Sequence, residues 1–350
     1  MNQCPICKDN EADKKNAHLI PWFLIKKSIT HKGTGHRNTE VSFTITPNDF
    51  TKVFLGQSVI PENVEDLDAW ADLQKEKNDP YSRDNLICTK CEDKLSRLEA
   101  IFASEFSSKN IKNAFALKLE SINGQLLYTR PKYSFSLYEL LIQSIFYRCS
   151  IGRFGGSLLK PSIEKKIEEN LREAFKIPGF KKLKASDVIS VKHSFPIVTS
   201  ILHELETDDT TEGFIIGGIS RFPYFIVSGR WIIQFFEEEK HLKNPVERLY
   251  GLTTKIKAKE VFDKVENVSH LILVEKEFSE FISKNIIDDM VARKIVGLQK
   301  NIRDFHIHKF NHKPDAYIAQ YIYQQYFVHL KEGKTELESF ISAFLDLKKL

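Results

Sequence analysis

The feature that most constrains this chain is a spacing. Cys4-Pro-Ile-Cys7 opens it, and Cys88-Thr-Lys-Cys91 repeats the pattern. Each pair brings two sulfurs into one turn, so each offers two ligands to a single tetrahedral ion, and Zn2+ is the natural occupant of a four-sulfur site. A shared ion clamps a segment with little core of its own to a helix start, and its binding free energy becomes folding free energy. A redox CxxC pair and coincidence are the alternatives. Two well-formed pairs among five cysteines weigh against both. The fifth, Cys149 in the apolar run SIFYRCSIG, reads as a core residue.

Composition narrows the class. Apolar content of 42% and charged content of 28% are ordinary for a soluble globular protein, and 350 residues suffice for two domains. The longest apolar stretch, Tyr224 to Phe236, is interrupted by Ser228, Gly229 and Arg230, so no membrane span is expected. The start, MNQCPICKDNEADKK, is too polar and acidic for a secretory signal, and a cytoplasmic protein is expected. In a reducing compartment five cysteines are not a disulfide framework. The net charge of +4 is unevenly spread: residues 107–186 hold 15 Lys and Arg against 6 Asp and Glu, a local excess of +9. A basic middle suits a phosphate-facing surface, although scattered lysines on a solvated face give the same count.

Between the cysteine pairs lie Ala17-His18-Leu19-Ile20-Pro21-Trp22-Phe23, and the second pair sits in Leu86-Ile87-Cys88-Thr-Lys-Cys91-Glu92, followed by Ser96 and Glu99. The order is CxxC, a histidine on a short apolar strand, Asn85, CxxC, then an acid opening a helix. It resembles the zinc-stapled branch of the HNH (ββα-metal, His-Me finger) nucleases of bacteria, over roughly residues 1–106. The resemblance implies an α+β protein, with an N-terminal treble-clef/ββα-metal zinc domain over 1–106. It also implies a metal-dependent endonuclease acting on DNA ahead of RNA. His18 would be the general base, Asn85 its orienter and Glu92 the ligand of a catalytic Mg2+ or Mn2+, with Zn2+ at Cys4, Cys7, Cys88 and Cys91 purely structural. Such architectures often serve in defence against phage or mobile elements. Two departures stand out: Ala17 occupies the position before the histidine where active HNH proteins usually carry an acid, and Glu92 stands where they usually carry histidine. A non-catalytic zinc module that binds nucleic acid or protein is therefore the alternative. Glu99 lies seven residues from Glu92, on nearly the same helix face but about 10 Å along the axis.

Each of these residues also has a plainer reading. His18 suits a half-buried core histidine, Asn85 a turn, Glu92 a helix N-terminal charge and Glu99 a surface carboxylate. The glycine-containing stretch THKGTGHRNTE, residues 30–40, offers His36 and Arg37 as phosphate contacts or is simply a hairpin tip. VSFTIT, residues 41–46, alternates like a strand, and residues 61–84 suggest a short acidic surface helix.

Beyond residue 106 a mainly helical domain, 107–350, is expected: helices over 107–186, a small antiparallel sheet of three or four strands over about 187–237, and helices from about 276 to 350. It would recognise the target or a partner protein. Within NIRDFHIHKFNH, Arg303 and His308 match the short Arg-x4-His pattern of HEPN ribonucleases, a third functional reading, and His306, His308 and His312 offer a second metal site.

Overall fold

The structure, a computed structural model, describes residues 2–29, 41–44, 52–55, 81–106, 121–122, 125–129, 134–154, 159–203, 215–217, 224–228, 230–243, 262–263, 268–334 and 336–347. It is mixed α+β and divides into two compact units, Met1–Thr44 with Lys52–Ile282 and Ile45–Thr51 with Ser283–Leu350. The first unit carries, in chain order, β1 (Ala17–His18), α1 (Trp22–Ile29), β2 (Val41–Thr44), β3 (Lys52–Leu55), β4 (Ser82–Arg83), α2 (Thr89–Glu105), β5 (Ser121–Ile122), β6 (Gln125–Thr129), α3 (Phe135–Ile151) and α4 (Pro161–Phe175). There follow β7 (Ile197–Leu202), β8 (Ile215–Gly217), β9 (Tyr224–Ser228), β10 (Trp231–Phe235), β11 (Phe262–Asp263) and β12 (Val268–Val274); α5 (Lys276–Phe310) begins in the first unit and continues into the second, with α6 (Ala316–Lys331) and α7 (Glu336–Asp346). No helix among the described residues is long and apolar enough to cross a membrane.

The centre of the first unit is α3. Every residue from Phe135 to Ser150 is buried, as expected of a helix covered on all sides. Helix α4 packs beside it. Pro161 supplies a preset first turn, and Ile163, Ile167, Leu171 and Ala174 form one buried stripe. On α2 the helical spacing of Leu95, Leu98 and Phe102 puts all three in the same core, and the rings of Phe102 and Tyr138 stand 5.6 Å apart. The boundary expected at residue 106 falls inside this unit, because one continuous core joins Cys4 and Leu19 to Phe146, Ile201 and Leu273.

The sheet is larger than expected and mixed rather than antiparallel. Among the described residues eight strands take part, in the order β5-β6-β12-β7-β10-β9-β8 with β11 on β12, and β12 runs parallel to β7. Residues 121–129, expected within helices, form β5 and β6, with Ile122 opposite Gln125. The Asn123-Gly124 dipeptide between them is the composition a two-residue hairpin link calls for. Conversely, the strand expected over DVISVKHSF does not form. Its backbone donors go to helix side chains instead of a ladder: Ile189 N–H to Ser136 Oγ at 3.0 Å, His193 N–H to Asn170 Oδ1 at 2.9 Å and Phe195 N–H to Glu139 Oε1 at 2.5 Å. The strand starts only at Ile197. Strands β2 and β3 pair antiparallel, Val41 opposite Leu55, at the expected VSFT stretch. The acidic helix expected over 61–84 and the stretch 30–40 lie almost wholly outside the described residues.

The C-terminal end of α3 abuts the strand that carries His18. A Cβ on Gly152 would stand 2.5 Å from Leu19 Cδ2 and 2.9 Å from the Arg148 carbonyl oxygen. Leu19 is fully buried, so its side chain has nowhere to move. Gly152→Ala is expected to cost about 1–3 kcal/mol by overpacking, read as a lower midpoint in thermal or urea unfolding.

The second unit is a helical cluster. Ile302, Ile322, Tyr326, Ala343 and Phe344 form its core, Asp315 caps α6 by accepting the Ile318 N–H at 2.8 Å, and His329 meets Asp346 across α6 and α7 at 2.8 Å.

Candidate metal centre and the adjoining cluster

Two local folds deliver the four sulfurs. In the first, the Cys4 carbonyl accepts the Lys8 N–H at 2.9 Å and the Asn10 carbonyl accepts the Cys4 N–H at 2.8 Å, and Lys8 adopts φ 60°. This tight turn aims Cys4 and Cys7 at one point. In the second, Cys88 is the residue before α2, and its carbonyl accepts the N–H groups of Cys91 and Glu92 at 3.1 and 3.0 Å. The two are held together by Asp13, whose Oδ1 accepts the Thr89 N–H at 2.7 Å and so caps α2. The carboxyl of Asp13 is accordingly held below its usual range.

The four cysteine sulfurs lie within 4.8 Å of one another and form a group that could hold a metal ion. An ion 2.3 Å from each of four tetrahedral sulfurs sets them about 3.8 Å apart; Cys7 and Cys88 stand at 3.7 Å. All five cysteines are free, and Cys4, Cys88 and Cys91 are buried. The thiol of Cys91 beside it holds Cys4 down at about 4, burial pushes Cys88 up to about 11, and Cys91 is pushed up first by its bond to Cys4. Four thiolates this close ionise together only around a cation. The donor set and spacing suit zinc, and Asn10 Nδ2 reaches Cys7 Sγ at 3.4 Å as a supporting donor.

A second group of side chains begins at Glu92, the residue after Cys91 on α2. Strand β1 pairs antiparallel with β4, Ala17 opposite Arg83 and His18 opposite Ser82, so His18 sits on a two-strand ribbon whose next helix is α2. Glu92, in the first turn of α2, is only 6% exposed. Among the described residues its Oε2 has no hydrogen-bond partner. Burial raises its carboxyl above the usual range; Arg148 opposes that rise, Glu99 adds to it and His18 opposes it. Arg148, Glu99 and His18 thus all bear electrostatically on Glu92. Arg148 is the anchor of this group. It is fully buried, with Nη1 donating to the His18 carbonyl at 2.6 Å, Nη2 to Glu99 Oε1 at 2.6 Å and Nε to the Ser144 carbonyl at 3.3 Å.

The other expected site residues lie elsewhere. Asn85 is exposed in a left-handed turn, φ 56°, and its N–H donates to the Lys14 carbonyl at 2.7 Å. Among the described residues no hydrogen bond of its side chain to His18 is present. Arg303 and His308 are both exposed on α5, five residues and hence about 140° apart around the axis, and Arg303 pairs with Asp304 at 3.4 Å. His306 turns its Nδ1 to the His312 carbonyl at 3.0 Å, and among the described residues the four cysteines are the group that suits a metal. His36 and Arg37 lie outside the described residues. Arg148 was missed in the sequence, where the signal was a lone arginine inside the apolar run SIFYRCSI. A charge there is buried, and a buried charge needs partners.

Compared with protein-family models, with curated proteins and with solved structures, the chain matches none of them.

Proposed function

We propose that the first unit is a metal-dependent phosphodiesterase of the HNH type, acting on DNA ahead of RNA. The observation that carries this reading is Glu92, a buried carboxylate with one oxygen unpartnered among the described residues, in the same neighbourhood as His18 and beside a four-sulfur staple. An unpartnered buried carboxylate oxygen is costly, and a cation would satisfy it. In this reading the zinc holds the ribbon and helix together, His18 takes the proton of the attacking water, and Glu92 presents its free oxygen to Mg2+ or Mn2+. A divalent cation there would offset charge developing on the scissile phosphate. Asn85 has no part in this reading. Exposed Lys165, Lys166, Lys176, Lys182 and Lys184 supply the positive surface a nucleic acid requires. A role in bacterial defence follows from the resemblance alone, while a cytoplasmic location and a partner protein on the C-terminal domain are expectations from the sequence.

The test is nicking of plasmid DNA and of RNA with Mn2+ or Mg2+, for wild type and His18→Ala. A general base contributes about 10²–10⁴-fold, so His18→Ala should lose at least two orders of magnitude in rate while keeping its metal and its melting midpoint. Absence of cleavage by the wild type with either ion would sink the proposal. A second reading, a non-catalytic zinc module, is favoured by Ala17, which is fully buried where an acid would be needed. It expects salt-sensitive binding without cleavage. RNA cleavage that survives EDTA and vanishes in His308→Ala would instead point to the HEPN-like reading.

A further inference from the structure

Helix α3, into which the resemblance to HNH nucleases extends only weakly, reaches toward the His18 strand with a charge. Arg148 is fully buried, and burying a guanidinium is expensive unless each of its donors finds a partner. Its donors are aimed with purpose. One holds the backbone of the strand that carries His18 and another holds Glu99, both at 2.6 Å. The same stretch of α3 supports that strand twice more: Cys149 Sγ donates to the Leu19 carbonyl at 3.8 Å, and Gly152 leaves room for Leu19. Glu92 and Glu99, two of the acids of α2, are thus treated differently. Glu99 is neutralised by the guanidinium, whereas Glu92 keeps an unpartnered oxygen among the described residues.

We infer that Arg148 is the positioning residue of this cluster: it fixes the His18 strand and occupies Glu99, leaving Glu92, of these two acids, as the carboxylate open to a divalent cation. The inference rests on the cluster geometry and deepens the nuclease reading. It makes the site composite, with the ribbon and α2 supplying the reacting groups and α3 supplying their alignment. It also sets the cation stoichiometry. Two acids on one helix face would otherwise offer two binding points about 10 Å apart, and Arg148 removes one of them.

The experiment uses the zinc-loaded full chain, titrated with Mn2+ alone and assayed for DNA cleavage. Three variants are compared with wild type: Arg148→Met, Arg148→Lys, and the charge-balanced pair Arg148→Met with Glu99→Gln. Wild type should bind one Mn2+ at the cluster, and Glu92→Gln should abolish that binding. Arg148→Met frees Glu99, so a second Mn2+ should bind; the charge-balanced pair should return to one. Misplacing a reacting group by about 1 Å costs about 10²-fold. The charge-balanced pair should therefore lose about that much in kcat with KM unchanged, and Arg148→Lys, which keeps the charge but not the fork, should recover only part of it.

Two results would overturn the inference: an Arg148→Met protein that retains zinc and its melting transition yet binds Mn2+ as wild type does, or a charge-balanced pair that cleaves at the wild-type rate. If Arg148→Met does not fold, Arg148→Lys takes its place in the titration, and wild-type stoichiometry there counts against the inference. If the wild type itself cleaves nothing, the nuclease reading fails alone, and the Mn2+ stoichiometries still decide the role of Arg148.

Discussion

Cys91→Ser should strip the ion from the purified chain and lower its melting midpoint by more than 10 °C. The serine hydroxyl is a poor replacement for a thiolate, and the remaining three sulfurs leave an open, hydrated position. Structural zinc in small domains is worth about 10–16 kcal/mol of apparent binding free energy at neutral pH. Even a partial loss of about 5 kcal/mol corresponds to about 10–20 °C at the usual 2–4 °C per kcal/mol for a unit of this size. The reason is local. The first twenty residues meet the second cysteine pair through the buried Ile6, Ala17, Leu19 and Ile20 and a few backbone bonds, such as Lys14 N–H to the Ile87 carbonyl at 3.1 Å and Leu19 N–H to the Tyr81 carbonyl at 2.7 Å. Without the ion, the entropy of ordering the segment is set against those contacts alone. Metal content by elemental analysis and a melting curve on the same sample test this together. Cys149→Ser is the control and should keep the ion, because Cys149 lies outside the four-sulfur group.

Glu99→Ala should be the most destabilising change at the cluster that leaves the ion in place. It removes the carboxylate from Arg148, whose side chain is fully buried, while Glu99 itself is 16% exposed. Breaking a buried pair by deleting one partner costs about 3–5 kcal/mol, because the other charge is left uncompensated. Here the guanidinium keeps its bonds to the carbonyls of His18 and Ser144, and solvent reaches Glu99. A cost at or just below that range is therefore expected, about 2–3 kcal/mol and a midpoint drop of about 4–12 °C. A double-mutant cycle with Arg148→Met checks the cause. If the pair is the reason, the second substitution recovers much of the loss; strictly additive effects would show that Glu99 stabilises the protein by some other route.

The four-cysteine cluster was legible in the sequence because it needs little context: two CxxC turns converge although they lie 84 positions apart in the chain. The helical spacing of Leu95, Leu98 and Phe102 was equally readable, as was the helical stretch from Lys276 onward. What was not legible depends on contacts between distant elements. The stretch 187–195 has the alternation of a strand, but Ser136, Glu139 and Asn170 from two helices take its backbone donors, and local pattern does not show that. Strand β12 owes its place to β6 on one side and β7 on the other, pairings of high sequence separation. Asn85 looked like a site residue for its position before the cysteines, whereas its φ of 56° marks the turn that brings the chain round to Cys88. Arg148 is the instructive case. Its charge in an apolar helix announced a partner, and only the fold shows that the partners are the His18 strand and Glu99.

The account depends above all on four sulfurs surrounding one ion, which sets α2 against the His18 ribbon. X-ray absorption at the metal edge of the purified full chain tests it most directly. The result expected is a zinc edge with a single shell of four sulfur neighbours at about 2.3 Å. A shell dominated by nitrogen or oxygen at about 2.0–2.1 Å, or a chain purified without bound metal and still folded, would contradict it.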